Sequence, residues 1–417
     1  LYMSADFNSN QLNNPKETVK TFSDNKELSM AFLYQLVNIQ IFPNDRLNSL
    51  IQFWNFAKEN NLEEIAYKLS INMLSSIEAT SDNIAYGTQT GTAEELAFDI
   101  EKLSNLPDFP YEAKYEKNIT GFEQYKDMRM AYIDAGNKDS DITFLLLHGS
   151  PTWSYMWRHF IKEIEKLNYR AVAFDMPGFG RSDKPLDEEA YTFNSLRESL
   201  ICMINRLELK NIVLVVHEWG GFLGLTIPMD MPDLFDGIII HNTTLATGNN
   251  LMSDSYTDWR QYIKDNPDLN VRAIMARTNK ILNLKECNNY HAPFDNYDSK
   301  VALRVMPKIF PNNQKKEGAE ISQKAQDWFS NEFDGLALSI SGMRDPLFPQ
   351  DALNRFFNSI NGINKLPGVD NAGHFLPEWA MEYGEGLINK YMQLREKFLL
   401  EKENNEENFD EDNLNNV

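Results

Sequence analysis

Glu218 ends the aliphatic run Ile212-Val-Leu-Val-Val-His217 and is followed at once by Trp219, Gly220 and Gly221. Such a run broken by two glycines predicts a buried strand that turns sharply into a helix. A turn of this kind lifts its apical residue above the sheet, and its flanks are small because the backbone there is strained. With Ser at the apex the chemistry is acyl transfer. A carboxylate there attacks carbon and forms an alkyl or acyl ester on itself. His217-Glu218 also begins like the zinc-protease pattern His-Glu-x-x-His, but Gly221 stands where the second His is required, so no metal is expected.

An ester formed on Glu218 needs donors for the charge that gathers on it and a base for water. His148-Gly149-Ser150-Pro151 follows the strand-like run Ile142-Thr-Phe-Leu-Leu-Leu147. A His-Gly turn at the end of an early strand supplies one backbone N–H to an oxyanion hole, and the residue after the nucleophile supplies another. The expected donors are therefore Ser150 and Trp219; read alone, the same turn is also a plain strand end. Asn371-Ala-Gly-His374-Phe puts a histidine in a turn before the last helix, and Ser341-Gly-Met-Arg-Asp345 puts an acid just past a strand. The chain order nucleophile, acid, histidine is that of a hydrolase triad, with Asp345 orienting the base His374. No acid follows Ile240, while His159, His241 and His291 lack a comparable setting. Gly178-Phe-Gly180 begins like a dinucleotide loop, yet Asp183 replaces its third glycine, so no organic cofactor is expected.

These residues need a scaffold. From about residue 128 strand-like and helix-like segments alternate, which predicts an α/β chain with a mainly parallel sheet. The strands are expected near 128–133, 142–147, 171–174, 212–216, 237–240 and 336–341, and a final helix at about 378–399. A long helical stretch, 250–330, interrupts the alternation. Residues 1–98 carry three amphipathic helical patterns and are expected to form an extension used for packing or self-association. The tail, 401–417, has seven acids, one Lys and six Asn and is expected to be disordered. A net charge of -21 argues against nucleic acid or an anionic membrane as partner. Two cysteines and no long apolar run fit a reducing, cytoplasmic setting without a membrane span, although the chain opens on Leu1.

The motifs together are specific. His148-Gly-Ser-Pro-Thr-Trp, Asp175-Met-Pro-Gly-Phe-Gly-Arg-Ser-Asp-Lys-Pro185, Val215-Val-His-Glu-Trp-Gly-Gly, Gly342-Met-Arg-Asp345 and Ala372-Gly-His374-Phe resemble a haloalkane dehalogenase. The similarity runs over about residues 99–399 and is greatest to the branch whose acid follows the seventh strand. It implies an α/β-hydrolase fold: an eight-stranded, mostly parallel sheet, core segments 99–249 and 331–400, and a helical cap at 250–330. It also implies the reaction. The residue at the place of Glu218 displaces a halide and forms an alkyl ester, His374 activates the water that hydrolyses it, and Asp345 orients His374. Trp219 and the cap residue Trp259 match the two tryptophans that hold the departing halide. Haloalkane and water are then the only partners required.

One position departs from the family pattern, which has Asp where this chain has Glu218. The added methylene moves the carboxylate by about 1.5 Å, and a misplacement of about 1 Å can cost on the order of 100-fold in rate. A slowed or reshaped dehalogenase, a homologue that binds without turnover, and an enzyme for another substrate all remain open at this point. Epoxide hydrolases share the acid nucleophile and need cap tyrosines to protonate an alkoxide. Tyr256, Tyr262, Tyr290 and Tyr297 keep that alternative in view.

Overall fold

The computed structural model describes residues 57–59, 103, 106, 108–249, 253–279 and 281–414. Apart from a short helical piece at 57–59, the expected extension 1–98, and with it any role in self-association, lies outside the described residues. By Cα proximity the chain divides into two units, Leu1–Gln89 with Asn270–His291, and Thr90–Leu269 with Ala292–Val417.

The second unit holds an eight-stranded sheet in the order β1-β2-β4-β3-β5-β6-β7-β8. The strands are β1 (Lys114–Lys117), β2 (Arg129–Gly136), β3 (Thr143–Leu147), β4 (Arg170–Phe174), β5 (Ile212–His217), β6 (Phe235–His241), β7 (Leu336–Ile340) and β8 (Asn364–Lys365). β2 runs antiparallel to both of its neighbours, β1 and β4, and every other pairing is parallel. The central strands β3 and β5 are buried at every residue, which is why each reads as an unbroken apolar run. β1, by contrast, is Lys-Tyr-Glu-Lys, a charged edge strand with no apolar alternation to announce it.

Helices cover the sheet. α1 (Arg158–Lys166) buries Phe160, Ile161 and Ile164 along one face. α2 (Phe193–Arg206) opens with a capping box, in which Thr192 and Ser195 satisfy each other's backbone N–H. α3 (Trp219–Gly224) is the short helix that follows Glu218. Between β6 and β7 come α4 (Asp254–Asp265), α5 (Val271–Thr278), α6 (Leu284–His291), α7 (Val301–Ile309) and α8 (Ala319–Asn331). The segment expected to act as one cap is thus divided: α5 and α6 belong to the first unit, whereas α4, α7 and α8 belong to the second. α9 (Gln350–Phe357) follows β7, and α10 (Ala380–Leu414) closes the chain.

The expected disorder of 401–417 is corrected in one respect, because α10 continues through Leu414. Extending an existing helix needs no new nucleus, and Glu is a good helix former. Lys397 pairs with Glu401 one turn on, and Lys402 reaches Asp334 at 2.9 Å. Among the described residues no helix is long and apolar enough to cross a membrane.

Candidate active site

The sheet register decides which loops meet. Leu147 at the end of β3 lies opposite Val216 in β5, and His217 lies opposite His241 in β6. The chain reverses direction of progress between β3 and β5, and such a switch point leaves a crevice beyond the carboxyl ends of the strands. Into it project the segments after β3, β5, β6 and β7.

Glu218 sits at the apex of the β5–α3 turn with φ 46° and ψ -115°, a conformation side chains rarely adopt. The following glycine permits that turn, since a Cβ on Gly220 would lie 2.1 Å from the Leu147 carbonyl oxygen. Two residues past β6, the Thr243 hydroxyl donates to the Glu218 carbonyl at 2.7 Å. On the other side Gly149 makes room for the carboxylate, for its Cβ would fall 2.6 Å from both Cβ and Oε2 of Glu218. The backbone N–H groups of Ser150 and Trp219 both donate to Oε2 at 2.7 Å. Oε1 accepts no hydrogen bond from a described residue. One carboxylate oxygen is therefore fixed by the two expected oxyanion donors, and the other is free.

His374 and Asp345 meet as the order of the motifs suggested, with Nδ1 of His374 3.0 Å from Oδ2 of Asp345. The carboxylate only accepts, so Nδ1 carries the proton and the lone pair of the neutral ring lies on Nε2. Nε2 is buried and has no protein partner among the described residues. Asp345 is itself held by the N–H groups of Leu347 and Phe348, at 2.8 and 3.2 Å on Oδ1, and by the Asn242 amide, at 2.7 Å on Oδ2. His217 fixes the loop from below, its Nε2 donating to the His374 carbonyl at 2.8 Å. Its own burial holds His217 neutral, well below the usual histidine range.

Burial is the main influence on Glu218 as well. It pushes the carboxyl up to about 7, with a smaller push from Asp345, against the opposing pull of His374 and of the two N–H donors. For His374, burial acts to lower the pKa, but the Asp345 charge and hydrogen bond and the Glu218 charge together leave it raised. The acid and the imidazole thus lie within reach of each other's field.

Above Glu218 is a cavity of about 10 Å³. Ser150, Glu218 and Trp219 line it from the strand ends, Tyr256, Trp259, Arg260 and Ile263 from α4, and Met306 and Pro307 from α7. The four α4 residues fall at i, i+3, i+4 and i+7, one face of the helix. Neither the Trp219 nor the Trp259 indole N–H has a partner among the described residues. Among those residues there is also no cluster of His, Cys, Asp and Glu fit to hold a metal.

Comparison with known proteins identifies the fold and the family. Residues 142–380 match the family described as alpha/beta hydrolase fold. A haloalkane dehalogenase of Psychrobacter cryohalolentis is 31% identical over 287 residues, 66% of this chain and 91% of that one. One from Mycolicibacterium paratuberculosis is 29% identical over 279 residues, again 66% of this chain and 91% of its own. The structure of the tetrameric haloalkane dehalogenase DpaA from Paraglaciecola agarilytica superposes with a TM-score of 0.66 at 38% identity, covering 70% of this chain and 96% of that one. The chain belongs to the haloalkane dehalogenase family.

Within a haloalkane dehalogenase framework, two residues that the sequence did not single out, Asn242 and Arg260, stand out beside the candidate Tyr256. Asn242 stands after β6 where the sequence has no acid; its amide donates to Asp345 while its Oδ1 accepts from the Gly342 N–H at 2.9 Å. Its signal was an isolated Asn at positive φ, which sequence does not reveal. Tyr256 was one of four candidate cap tyrosines. Arg260 carried no signal beyond its neighbour Trp259.

Proposed function

We propose that this protein hydrolyses haloalkanes to an alcohol and a halide through an alkyl ester on Glu218. Oε1 attacks the halogen-bearing carbon, the new C–O bond forms as the C–halogen bond breaks, and the halide departs toward the indole N–H groups of Trp219 and Trp259. Water then gives a proton to Nε2 of His374 and attacks the ester carbonyl carbon. Charge gathers on Oε2, between the N–H groups of Ser150 and Trp219, before the alcohol leaves and Glu218 is restored. The net change consumes one water and yields alcohol, halide and a proton.

The observation that carries this reading is the division of labour within Glu218. Oε2 already occupies the two donors at 2.7 Å, leaving Oε1 unengaged beside two unpaired indoles. A halide leaves as a stable anion and needs donors rather than a proton. Indoles supply donors in an otherwise apolar wall.

The test is bromide release from 1-bromobutane. Glu218→Gln is expected to abolish it, and His374→Gln to release one bromide per protein while the polypeptide gains the mass of one butyl group. Glu218→Asp is expected to gain activity, since the shorter side chain opens a cavity that is now too small for substrate. Bromide release that survives Glu218→Gln would sink the mechanism.

Epoxide opening is a second reading, favoured by one observation. Of the four candidate tyrosines only Tyr256 lines the cavity, and its hydroxyl makes no hydrogen bond to a described residue. Tyr297 is 43% exposed and lies under the Arg304 guanidinium. Diol formation from styrene oxide that is lost in Tyr256→Phe while bromide release persists would support it.

A further inference from the structure

Most of the buried and half-buried arginines in this chain have a carboxylate. Arg158 pairs with Glu378, Arg129 with Asp183, Arg170 with Asp134, Arg304 with Glu188 and Arg395 with Asp236. Among the described residues Arg260 does not, nor do Arg181, which donates to the Tyr111 and Leu103 carbonyls, and Arg272; of these three only Arg260 is in the wall of the cavity that holds Glu218. The Arg260 Nε donates to the Pro307 carbonyl at 2.9 Å, which fixes the plane of the guanidinium. Its carbon Cζ lies 5.9 Å from the centre of the Phe310 ring, which also packs against Trp219 and Tyr256. The two terminal nitrogens make no hydrogen bond or ion pair with a described residue. A planar fork with one edge anchored and the other open is suited to a monoanionic carboxylate, which it can bind through two parallel N–H···O bonds.

We infer that Arg260 binds the carboxylate of the substrate, so that the preferred substrates are bromo- and chloroalkanoates with the halogen remote from the acid group. This deepens the dehalogenase reading and rests on it. Glu218 and Arg260 line one cavity, so an alkyl chain with the halogen at one end and the carboxylate at the other would address both. The reaction balances as before: an ω-bromoalkanoate and water give the hydroxyalkanoate, bromide and a proton. A cation at this place also offsets the repulsion between an anionic substrate and the Glu218 carboxylate. One guanidinium matches one negative charge, which favours carboxylate over a phosphate dianion. The alternative is that Arg260 assists the departing halide, in which case its loss would affect every substrate equally.

The experiment compares bromide release from 3-bromopropanoate and 6-bromohexanoate with that from 1-bromopropane and 1-bromohexane, each corrected for the uncatalysed rate. The parent is expected to show a higher kcat/KM for the acids. Arg260→Gln should lower the acid-to-alkane ratio by about tenfold or more, the range of a charged hydrogen bond, and Arg260→Lys should restore part of it. An unchanged ratio in Arg260→Gln, or a parent preference for the neutral bromides, overturns the inference. Calorimetric titration with hexanoate separates this question from turnover. Hexanoate bound by the parent and not by Arg260→Gln supports the anion site even if no bromide is released, a result that would count against the dehalogenase reading alone. Equal binding by both proteins, or binding by neither, refutes the anion site.

Discussion

Attack on carbon requires the charged form of Glu218, and burial holds its carboxyl up at about 7. If alkylation is irreversible, kcat/KM reports that step and the ionisation of Glu218. We therefore expect kcat/KM for 1-bromobutane to rise with pH through about 7, between about pH 5 and 9. A flat profile over that range would show that Glu218 is not the titrating nucleophile. The stability consequence has a fixed sign. A folded-state pKa above the unfolded value stabilises the fold at low pH, and that contribution is lost as pH rises through about 7. Glu218→Gln should accordingly melt higher than the parent above pH 7 and converge with it toward about pH 4. The sequence could single out Glu218 and Asp345 because each stands just past a strand, and His374 because it lies in a glycine-bearing turn before the last helix. It could not single out Asn242, because an amide has no chemistry of its own and acts only through Asp345.

At the scale of the element, α4 supplies four residues of the cavity wall. Tyr256, Trp259, Arg260 and Ile263 share one face of it, over a cavity of about 10 Å³, which holds little more than one water. A haloalkane can enter only if side chains of α4 or α7 move aside. Ile263→Ala should relieve this, raising kcat/KM for 1-bromohexane relative to bromoethane severalfold, since each methylene newly accommodated is worth about 0.8 kcal/mol. Ile263 is 3% exposed, so the same change should cost about 2–5 kcal/mol of stability, readable in a urea titration. No change in the chain-length preference would mean that Ile263 does not limit the pocket. The sequence placed this helix only within the long helical stretch 250–330, and the family resemblance singled out Trp259. The sequence could not say that the buried face of this helix addresses Glu218 rather than another helix, because that depends on packing between segments distant in the chain.

For the molecule as a whole, the parallel sheet and its helices followed from the alternation of segments, and the missed pieces were those without an apolar pattern. β1 is charged at both ends and pairs only with β2, and the acidic end of α10 is held by continuity with the helix before it. One long-range tie deserves a measurement. Arg158 on α1 and Glu378, just ahead of α10, are both fully buried and joined by two hydrogen bonds of 2.7 Å. Arg158→Leu takes both of these hydrogen bonds from the buried Glu378 carboxylate and should cost about 3–5 kcal/mol in urea unfolding. A loss below about 1 kcal/mol, the range of an exposed pair, would mean that water reaches Glu378 in the variant.

The hydrogen bonds on Oε2 of Glu218 also bear on what this scaffold has given up. Hydrolases that cleave esters and amides keep the corresponding donors open for the carbonyl oxygen of an incoming acyl group. Here the protein's own side chain fills that seat before any substrate arrives. Under the proposed mechanism, carbonyl compounds such as p-nitrophenyl acetate would find that donor pair taken and should not be turned over, leaving the centre to saturated carbon.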